Sequence, residues 1–182
     1  AGDDTFLING TDTYYDKFNG GDGIDTILGS DSDDTIRVHN FSGDNTVETI
    51  DGGLGNNIIA GTSSSNTIDV SNTQLINIAH IDGGAGHDTI TGNADNNIII
   101  GGTGQDTLNG GAGDDTFLIN GTDSYYDKFN GGDGNDTILG SDGDDTIRVH
   151  QYRNDDTVET IDGGLGNNVI AGNNSSNIID VS

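Results

Sequence analysis

Residues 83–118 consist of four nine-residue units that follow one another without a gap: GGAGHDTIT, GNADNNIII, GGTGQDTLN and GGAGDDTFL. The eighth residue of each unit is large and apolar, namely Ile90, Ile99, Leu108 and Phe117. One apolar residue in nine is too sparse for an amphipathic helix. The spacing predicts a three-residue β-strand whose middle side chain points inward, followed by a six-residue turn.

Pairs of the same unit occur on both sides of this run, at 20–37, 52–69, 131–148 and 163–180. Their eighth positions are apolar as well: Ile27, Ile36, Ile59, Ile68, Ile138, Ile147, Ile170 and Ile179. Three irregular segments separate the regular units, and each is expected to supply one strand: 7–19 around Phe18, 38–51 around Val47 or Ile50, and 70–82 around Ile81. If strands alternate between two parallel sheets, the chain forms a two-sheet solenoid of about 18 short rungs, with about nine coils in a rod roughly 43 Å long.

A longer repeat relates residues 1–71 to residues 112–182, which align at a constant offset of 111 with 12 differences. Residues 72–111 join the two copies. We interpret 1–182 as one continuous domain and as a slice of a larger protein, because the first copy begins inside a motif that Gly110 and Gly111 complete in the second. Each long repeat is expected to contain roughly 11 strands, or rungs. Because this number is odd and strands alternate between two sheets, matching strands of the two copies would lie on opposite faces.

The composition is strongly acidic, with 31 acidic and 5 basic residues and a formal net charge of -26. Phosphate-binding surfaces usually recruit Lys and Arg, so nucleic acid is not an expected partner. The chain has no Cys, which excludes disulfides and thiolate metal sites, and it has no apolar run that predicts membrane insertion. Only 30% of the residues are hydrophobic, and this balance is typical of a disordered chain unless a bound partner offsets the charge.

The turn pattern GGxGxD has the chemistry of a site for a hard cation. Glycine at the first, second and fourth positions permits backbone conformations that aim several carbonyl oxygens into one space. The sixth position adds a carboxylate, and all acids of the chain except Glu48 and Glu159 are Asp. Because Ca²⁺ takes about six to eight oxygen ligands, one turn supplies about half of a shell and two stacked turns on the same side complete it.

The unit GGxGxDxUx, where U is a large apolar residue, resembles the nonapeptide of the repeats-in-toxin (RTX) family. The resemblance covers nearly the whole chain and implies an all-β, right-handed parallel β-roll that binds several Ca²⁺ ions between successive turns on the same side. The carboxylates that it identifies as ligands are Asp4, Asp25, Asp34, Asp88, Asp106, Asp115, Asp136 and Asp145, with Asp127 as a weaker match. The residues whose carbonyls it assigns to the metal are Gly2, Gly20, Gly21, Asp22, Gly23, Gly83, Gly84, Ala85, Gly86, Gly101, Gly102, Thr103, Gly104, Gly110, Gly111, Ala112, Gly113, Gly131, Gly132, Asp133 and Gly134.

Other turns carry Asn at the sixth position: Asn57, Asn66, Asn97, Asn168 and Asn177. Asn brings one neutral oxygen instead of a carboxylate, so we expect these turns to close without metal and Ca²⁺ to bind in clusters. The expected same-side carboxylate pairs are Asp88 with Asp106, Asp115 with Asp136, Asp106 with Asp127, Asp127 with Asp145, and Asp4 with Asp25.

No pattern in the sequence indicates an enzyme. The Gly-rich stretches lack the crossover helix and the basic residue of a dinucleotide site. Ser and Asp are abundant, but no nucleophile, base and orienting group form a recognisable set. We interpret four histidines as surface or loop residues: His39, His80, His87 and His150.

Two outward features leave a ligand-binding role open. Thr residues at the seventh position are expected to form one row on one sheet, through β-propensity or as a face for ice or a polysaccharide: Thr5, Thr26, Thr49, Thr67, Thr89 and Thr107. A Tyr-rich segment either covers an edge of the roll or binds a glycan or a neighbouring chain: Tyr14, Tyr15 and Lys17, with their copies Tyr125, Tyr126 and Lys128.

We therefore interpret the chain as a calcium-binding structural or folding module that is disordered without Ca²⁺ and folds on binding it. The resemblance implies a bacterial protein that leaves the cell by type I secretion and folds outside it or at the cell surface. The tandem duplication favours a large adhesin-like or toxin-like exoprotein. The alternative is a ligand-binding surface, for ice, a glycan or a partner protein, carried on a calcium-stabilised β-roll.

Overall fold

A computed structural model describes residues 1–11, 14–43, 46–120, 124–149 and 157–172. These residues form parallel β-strands and turns and contain no α-helix. The strands are β1 (Thr5–Leu7), β2 (Thr26–Leu28), β3 (Thr35–Arg37), β4 (Asn40–Phe41), β5 (Thr49–Asp51), β6 (Asn57–Ala60), β7 (Thr67–Asp69), β8 (Gln74–Ile76), β9 (Ile78–Asp82), β10 (Thr89–Thr91), β11 (Ile98–Ile100), β12 (Thr107–Ala112), β13 (Thr116–Leu118), β14 (Lys128–Asp133), β15 (Thr137–Leu139), β16 (Thr146–Val149), β17 (Thr160–Asp162) and β18 (Val169–Gly172).

The strands stack into a β-solenoid of about 7 turns, and the prediction of an all-β parallel β-roll is confirmed. A seven-stranded sheet runs through most of the molecule in the order β17-β15-β13-β11-β9-β6-β3. A four-stranded sheet, β1-β2-β5-β8, and a five-stranded sheet, β14-β12-β10-β7-β4, form other sides of the coils, and β16 pairs with β18. Since each coil from β3 to β17 adds one strand to the seven-stranded sheet, this sheet follows the axis of the roll.

The expectation that strands alternate strictly between two sheets is wrong. Two of the irregular segments contain two strands each: β4 and β5 lie in 38–51, and β8 and β9 lie in 70–82. In the latter, Asn77 interrupts an extended stretch with a φ of 54°, so the chain changes sheets without a six-residue turn. Coils in this part of the chain contain three strands, which is why the roll has fewer turns than the nine expected.

The coils become regular after β10. From β10 to β15 strands of the five-stranded and seven-stranded sheets alternate, and equivalent turn residues within the uninterrupted nonapeptides, such as Asp88 and Asp106, are 18 positions apart. Coils that contain an irregular segment are longer in both halves of the chain, with 21 positions between Asp106 and Asp127 and 23 positions both between Asp25 and Glu48 and between Asp136 and Glu159. The uninterrupted nonapeptides of 83–118 therefore coincide with the part of the roll that has two strands per coil.

A single stack of apolar side chains fills the interior. Every eighth-position residue from Ile27 to Ile147 is at most 2% exposed, as the repeat predicts. Phe18, Val47, Ile50 and Ile81 of the irregular segments are buried as well. Ile170 differs, since it lies in β18 at the edge of a two-stranded sheet and is 39% exposed. Ile179, Asn177 and His150 lie outside the described residues.

Matching strands of the two long copies lie in different sheets. β1, β2 and β5 belong to the four-stranded sheet, whereas their copies β13, β15 and β17 belong to the seven-stranded sheet. The two halves of the sequence thus take different places in the roll although their residues are nearly the same.

One of the two outward features differs from the expectation. The Thr residues do not form one row: Thr5, Thr26 and Thr49 are aligned in the four-stranded sheet, and Thr67, Thr89 and Thr107 in the five-stranded sheet. The Tyr rings lie against side chains of neighbouring coils. The pairs are Tyr15 with His39, Tyr125 with His87 and Tyr126 with Arg148, at 5.1, 5.7 and 5.5 Å. These contacts are those of a segment that covers the edge of the roll.

Candidate metal centre

The turns are held together along the roll by the sixth-position residues. In each stacked pair, the backbone N–H of one sixth-position residue donates to the side-chain oxygen of the equivalent residue in the next coil. Asp88 N–H donates to Oδ1 of Asp106 at 2.8 Å, and Asp106 N–H donates to Oδ1 of Asp127 at 2.9 Å. Asp115 N–H likewise donates to Oδ1 of Asp136 at 2.8 Å. One carboxylate oxygen of each acceptor is thereby used by the fold itself.

Four of the predicted same-side pairs are joined by this hydrogen bond, and one is not. Three of them are the pairs described above, and in the fourth the Asp4 N–H donates to Oδ1 of Asp25 at 2.7 Å. Asp127 and Asp145 are not joined in this way. Asp127 N–H donates to the carbonyl of Arg148, while Asp145 N–H donates to Oδ1 of Asn168.

The second carboxylate oxygen has no protein partner in four of these turns. Oδ2 of Asp25, Asp88, Asp115 and Asp136 is buried and accepts no hydrogen bond. The residues themselves are at most 1% exposed. A buried charged oxygen without a partner is strongly destabilising, so these four atoms need a cation or a proton.

The carboxyl groups respond to this burial through their pKa. Burial raises the pKa of Asp88 from 3.8 to about 7, against the lowering effect of the Asn66 N–H, and the charge of Asp106 raises it further. For Asp115 burial raises the pKa to about 6, and the charge of Asp136 adds to this. The pKa of Asp136 is raised by burial and by Glu159. Each group resists ionisation in the metal-free fold and would be stabilised in its charged form by a bound cation.

Backbone carbonyls face the same spaces as the orphaned carboxylate oxygens. A Cβ on Gly83 would meet both Oδ2 of Asp88 and the carbonyl oxygen of Gly101 in the next coil. A Cβ on Gly110 would meet Oδ2 of Asp115 and the carbonyl oxygen of Gly131. The first glycine of a turn thus leaves open a small space bordered by oxygens from two coils.

The Asn turns fill their equivalent positions with an amide group. Nδ2 of Asn57 donates to the carbonyls of Leu54 and Asn77, and Nδ2 of Asn168 donates to the carbonyl of Leu165. Nδ2 of Asn97 donates to Oδ1 of Asn93. The Asn Nδ2 group is a hydrogen-bond donor, which an Asp side chain lacks. It therefore gives the neighbouring turn oxygens a partner from within the protein.

The Asn66 turn also has a side-chain cation. Nδ2 of Asn66 donates to the carbonyl of His39 and to Oγ1 of Thr62. Nη1 of Arg37 donates to the carbonyl of Gly61, the first residue of the same turn, at 2.9 Å. The guanidinium brings positive charge to a turn oxygen without a metal.

Two of the predicted ligands are satisfied by serine. Oδ2 of Asp34 accepts hydrogen bonds from the N–H and the hydroxyl of Ser30. Oδ2 of Asp145 accepts the same two bonds from Ser141. Ser replaces the second Gly in both turns, and its hydroxyl supplies a donor that glycine cannot. Asp34 and Asp145 therefore lack the orphaned oxygen of the other Asp turns.

Glu48 and Glu159 accept the same coil-to-coil hydrogen bond as the sixth-position Asp residues, and the sequence prediction missed both. Asp25 N–H donates to Oε2 of Glu48, and Asp136 N–H donates to Oε2 of Glu159, both at 2.8 Å. The signal in the sequence is the segment TVET, which occurs in both copies and contains the only two Glu of the chain. It was not recognised because it lacks the Gly residues of the nonapeptide.

The residues fit a hard divalent cation. Within the described parts of the chain, no three Asp, Glu or His side chains converge on one point. The oxygens available are one carboxylate per turn and the carbonyls of the stacked glycines, which is the mixed carboxylate and carbonyl set that Ca²⁺ accepts. A transition metal, which prefers imidazole or thiolate, would find no such ligands there.

The comparisons with known proteins agree with this geometry. The family model described as "RTX calcium-binding nonapeptide repeat (4 copies)" matches residues 16–39, 42–72, 81–117, 122–149 and 154–182. Neither the curated proteins nor the solved structures gave a significant match. In the described residues, no helix has the length and apolarity needed to span a membrane. Repeats of this kind are calcium-binding structural modules characteristic of secreted bacterial proteins, and the chain belongs to the RTX calcium-binding nonapeptide repeat family.

Proposed function

We propose that this chain is a secreted structural module whose folding is driven by the binding of several Ca²⁺ ions to one set of its turns. The observation that carries the proposal is the buried, partnerless Oδ2 of Asp25, Asp88, Asp115 and Asp136. Calcium would satisfy these atoms, and because the turns are stacked only in the folded chain, its binding free energy becomes folding free energy.

The ions would lie in clusters rather than along every edge. One cluster is formed by the ladder of Asp88, Asp106 and Asp127, and another by Asp115 and Asp136. The turns of Asn57, Asn97 and Asn168 are expected to close without metal because their amides donate to turn oxygens. We do not extend the metal assignment to Asp34 and Asp145, whose carboxylates are held by Ser30 and Ser141.

The proposed setting is outside a bacterial cell after type I secretion, within an adhesin-like or toxin-like exoprotein. Two properties support this setting: the family of the repeats and the near-identical tandem copies. A chain that remains unfolded where Ca²⁺ is scarce and folds where it is abundant is suited to export as an extended polypeptide.

Circular dichroism of the whole chain tests the proposal. In EDTA we expect the spectrum of a disordered chain, and in millimolar Ca²⁺ the spectrum of a β-rich fold. Magnesium at the same concentration is the control, because its demand for near-octahedral geometry and its retained waters suit the carbonyl-rich turns poorly. Identical spectra in EDTA and in Ca²⁺ would contradict the proposal.

A further inference from the structure

Two irregular segments, Thr46–Glu48 and Thr157–Glu159, imitate a metal-binding turn without its sequence. Each lies on a regular turn: the first on the turn of Asp25, the second on the turn of Asp136. Neither contains the GGxGxD pattern. We refer to them as the TVE segments.

The backbone of each TVE segment has the conformation that glycine supplies elsewhere. Thr46 and Thr157 have φ values of 49° and 53°, in the left-handed region that a β-branched residue rarely adopts. Their hydroxyls hold the neighbouring turn, because Oγ1 of Thr46 accepts the N–H of Gly21 at 2.6 Å and Oγ1 of Thr157 accepts the N–H of Gly132 at 2.7 Å. The strained backbone is thus fixed against the turn that it faces.

This conformation directs a carbonyl oxygen at an orphaned carboxylate. A Cβ on Gly20 would meet both Oδ2 of Asp25 and the carbonyl oxygen of Thr46. A Cβ on Gly131 would meet both Oδ2 of Asp136 and the carbonyl oxygen of Thr157. The arrangement is the same as at Gly83 and Gly110, where the carbonyl comes from the first glycine of the next regular turn.

Glu takes the place of the sixth-position Asp in both segments. Oε2 of Glu48 accepts the N–H of Asp25, and Oε2 of Glu159 accepts the N–H of Asp136, as Asp106 does for Asp88. A carboxylate can accept an N–H with one oxygen and bind a cation with the other. The same arrangement forms twice, in two copies of the sequence that lie in different sheets.

We propose that the TVE segments are two additional Ca²⁺ half-sites, completed by Asp25 and Asp136, at positions where the nonapeptide pattern predicts none. This inference rests on the proposed function, because it requires the regular turns to bind Ca²⁺ as well. The ligands from the TVE segment are the Thr carbonyl and the Glu carboxylate, and the ligand from the regular turn is Oδ2 of the Asp. A hard divalent cation is the chemical class that fits this set.

The test is a count of bound ions by isothermal titration calorimetry, in which CaCl₂ is added to the whole Ca²⁺-free chain until folding is complete. The double variant Glu48→Gln and Glu159→Gln is expected to bind two ions fewer than the original protein. The matched control is Asp31→Asn with Asp142→Asn, which removes the same charge from exposed positions of both copies and should bind the full number. If the double variant does not fold, the number of bound ions is measured in the single variants E48Q and E159Q. Each of them is expected to bind one ion fewer than the original protein.

The outcomes separate this inference from the proposed function. An original protein that binds no Ca²⁺ would overturn both. An original protein that binds Ca²⁺, with E48Q and E159Q variants that keep its full ion count and affinity, would overturn only the role of the TVE segments. Restored counts in Glu48→Asp and Glu159→Asp variants would further support a carboxylate ligand.

Discussion

A single atom distinguishes the turns that we expect to bind a cation from those that we expect to close without one. In Asp88 this atom is Oδ2, which is buried and accepts no hydrogen bond, whereas in Asn57 it is Nδ2, which donates to two carbonyls. Serine achieves the same result next to Asp34, by giving the carboxylate two donors. We therefore expect the metal preference of a turn to depend on its second and sixth residues together, and not on the presence of Asp alone.

At the same scale, calcium binding should depend on pH. In the folded chain the pKa of Asp88 is about 7 and that of Asp115 about 6, both above 3.8. Because folding raises the pKa, protonation of these carboxyls stabilises the metal-free fold. This stabilisation is fully present below about 3.8 and is lost as pH rises through about 7. The disordered metal-free chain takes up protons on these carboxyls only near their ordinary pKa of 3.8, whereas the Ca²⁺-bound fold keeps them ionised, so the Ca²⁺ concentration at the midpoint of folding should rise as pH falls from 5.5 to about 3.8.

Circular dichroism during Ca²⁺ titration at several pH values measures this midpoint. In EDTA the dependence has the opposite sign, and any residual β-structure should increase as pH falls. A midpoint that does not change between pH 5.5 and about 3.8 would contradict the requirement for ionised carboxylates in Ca²⁺-dependent folding.

The stacking of turns also predicts which glycines cannot be replaced. Gly102 has a φ of 92°, and a Cβ there would collide with the carbonyl of Gly84 in the preceding coil. We expect Gly102→Ala to lower the free energy of unfolding in saturating Ca²⁺ by more than about 1 kcal/mol, the least cost of a non-glycine residue at this φ. Gly43→Ala is the control, because a Cβ there meets no atom within 4 Å. Urea denaturation of both variants gives the comparison, and equal stabilities would contradict it.

At the scale of strands and turns, the regular units were predictable and the irregular segments were not. The period of nine places Ile90, Ile99 and Leu108 in the core, where the structure has them. The same reasoning assigned one strand to each irregular segment, and in 70–82 it missed that Asn77 can bend the chain between two strands. A left-handed Asn or Thr leaves no periodic signal, which is also why Thr46 and Glu48 were missed at the candidate site.

Adjacent residues of one strand should differ sharply in their contribution to stability. In β11, Ile99 is fully buried, whereas Ile98 is 43% exposed. Ile99→Ala removes core contacts above and below and should lower the free energy of unfolding by about 2–5 kcal/mol. Ile98→Ala changes the same side chain on the outer face and should cost much less. Urea denaturation in saturating Ca²⁺ measures both, and equal losses would contradict the assignment of the inward face.

At the scale of the whole molecule, two explanations are possible for a requirement for calcium. The net charge of -26 could oppose folding through general repulsion, which any salt would screen. Alternatively, folding could require a ligand for particular buried oxygens, such as those of Asp25 and Asp136, which screening does not supply. The net charge alone leads to the first explanation, whereas the turn pattern and the burial of these atoms in the stacked coils lead to the second.

Sodium chloride separates the two explanations. At about 1 M salt the Debye length falls to about 3 Å, so repulsion among exposed carboxylates is largely removed. We expect the chain in EDTA to keep a disordered circular dichroism spectrum under these conditions, because a desolvated Oδ2 still lacks a coordinating partner. Addition of millimolar Ca²⁺ at the same high salt should then produce the β-rich spectrum. A fold that forms in sodium chloride without Ca²⁺ would mean that overall charge, and not the orphaned oxygens, controls the transition.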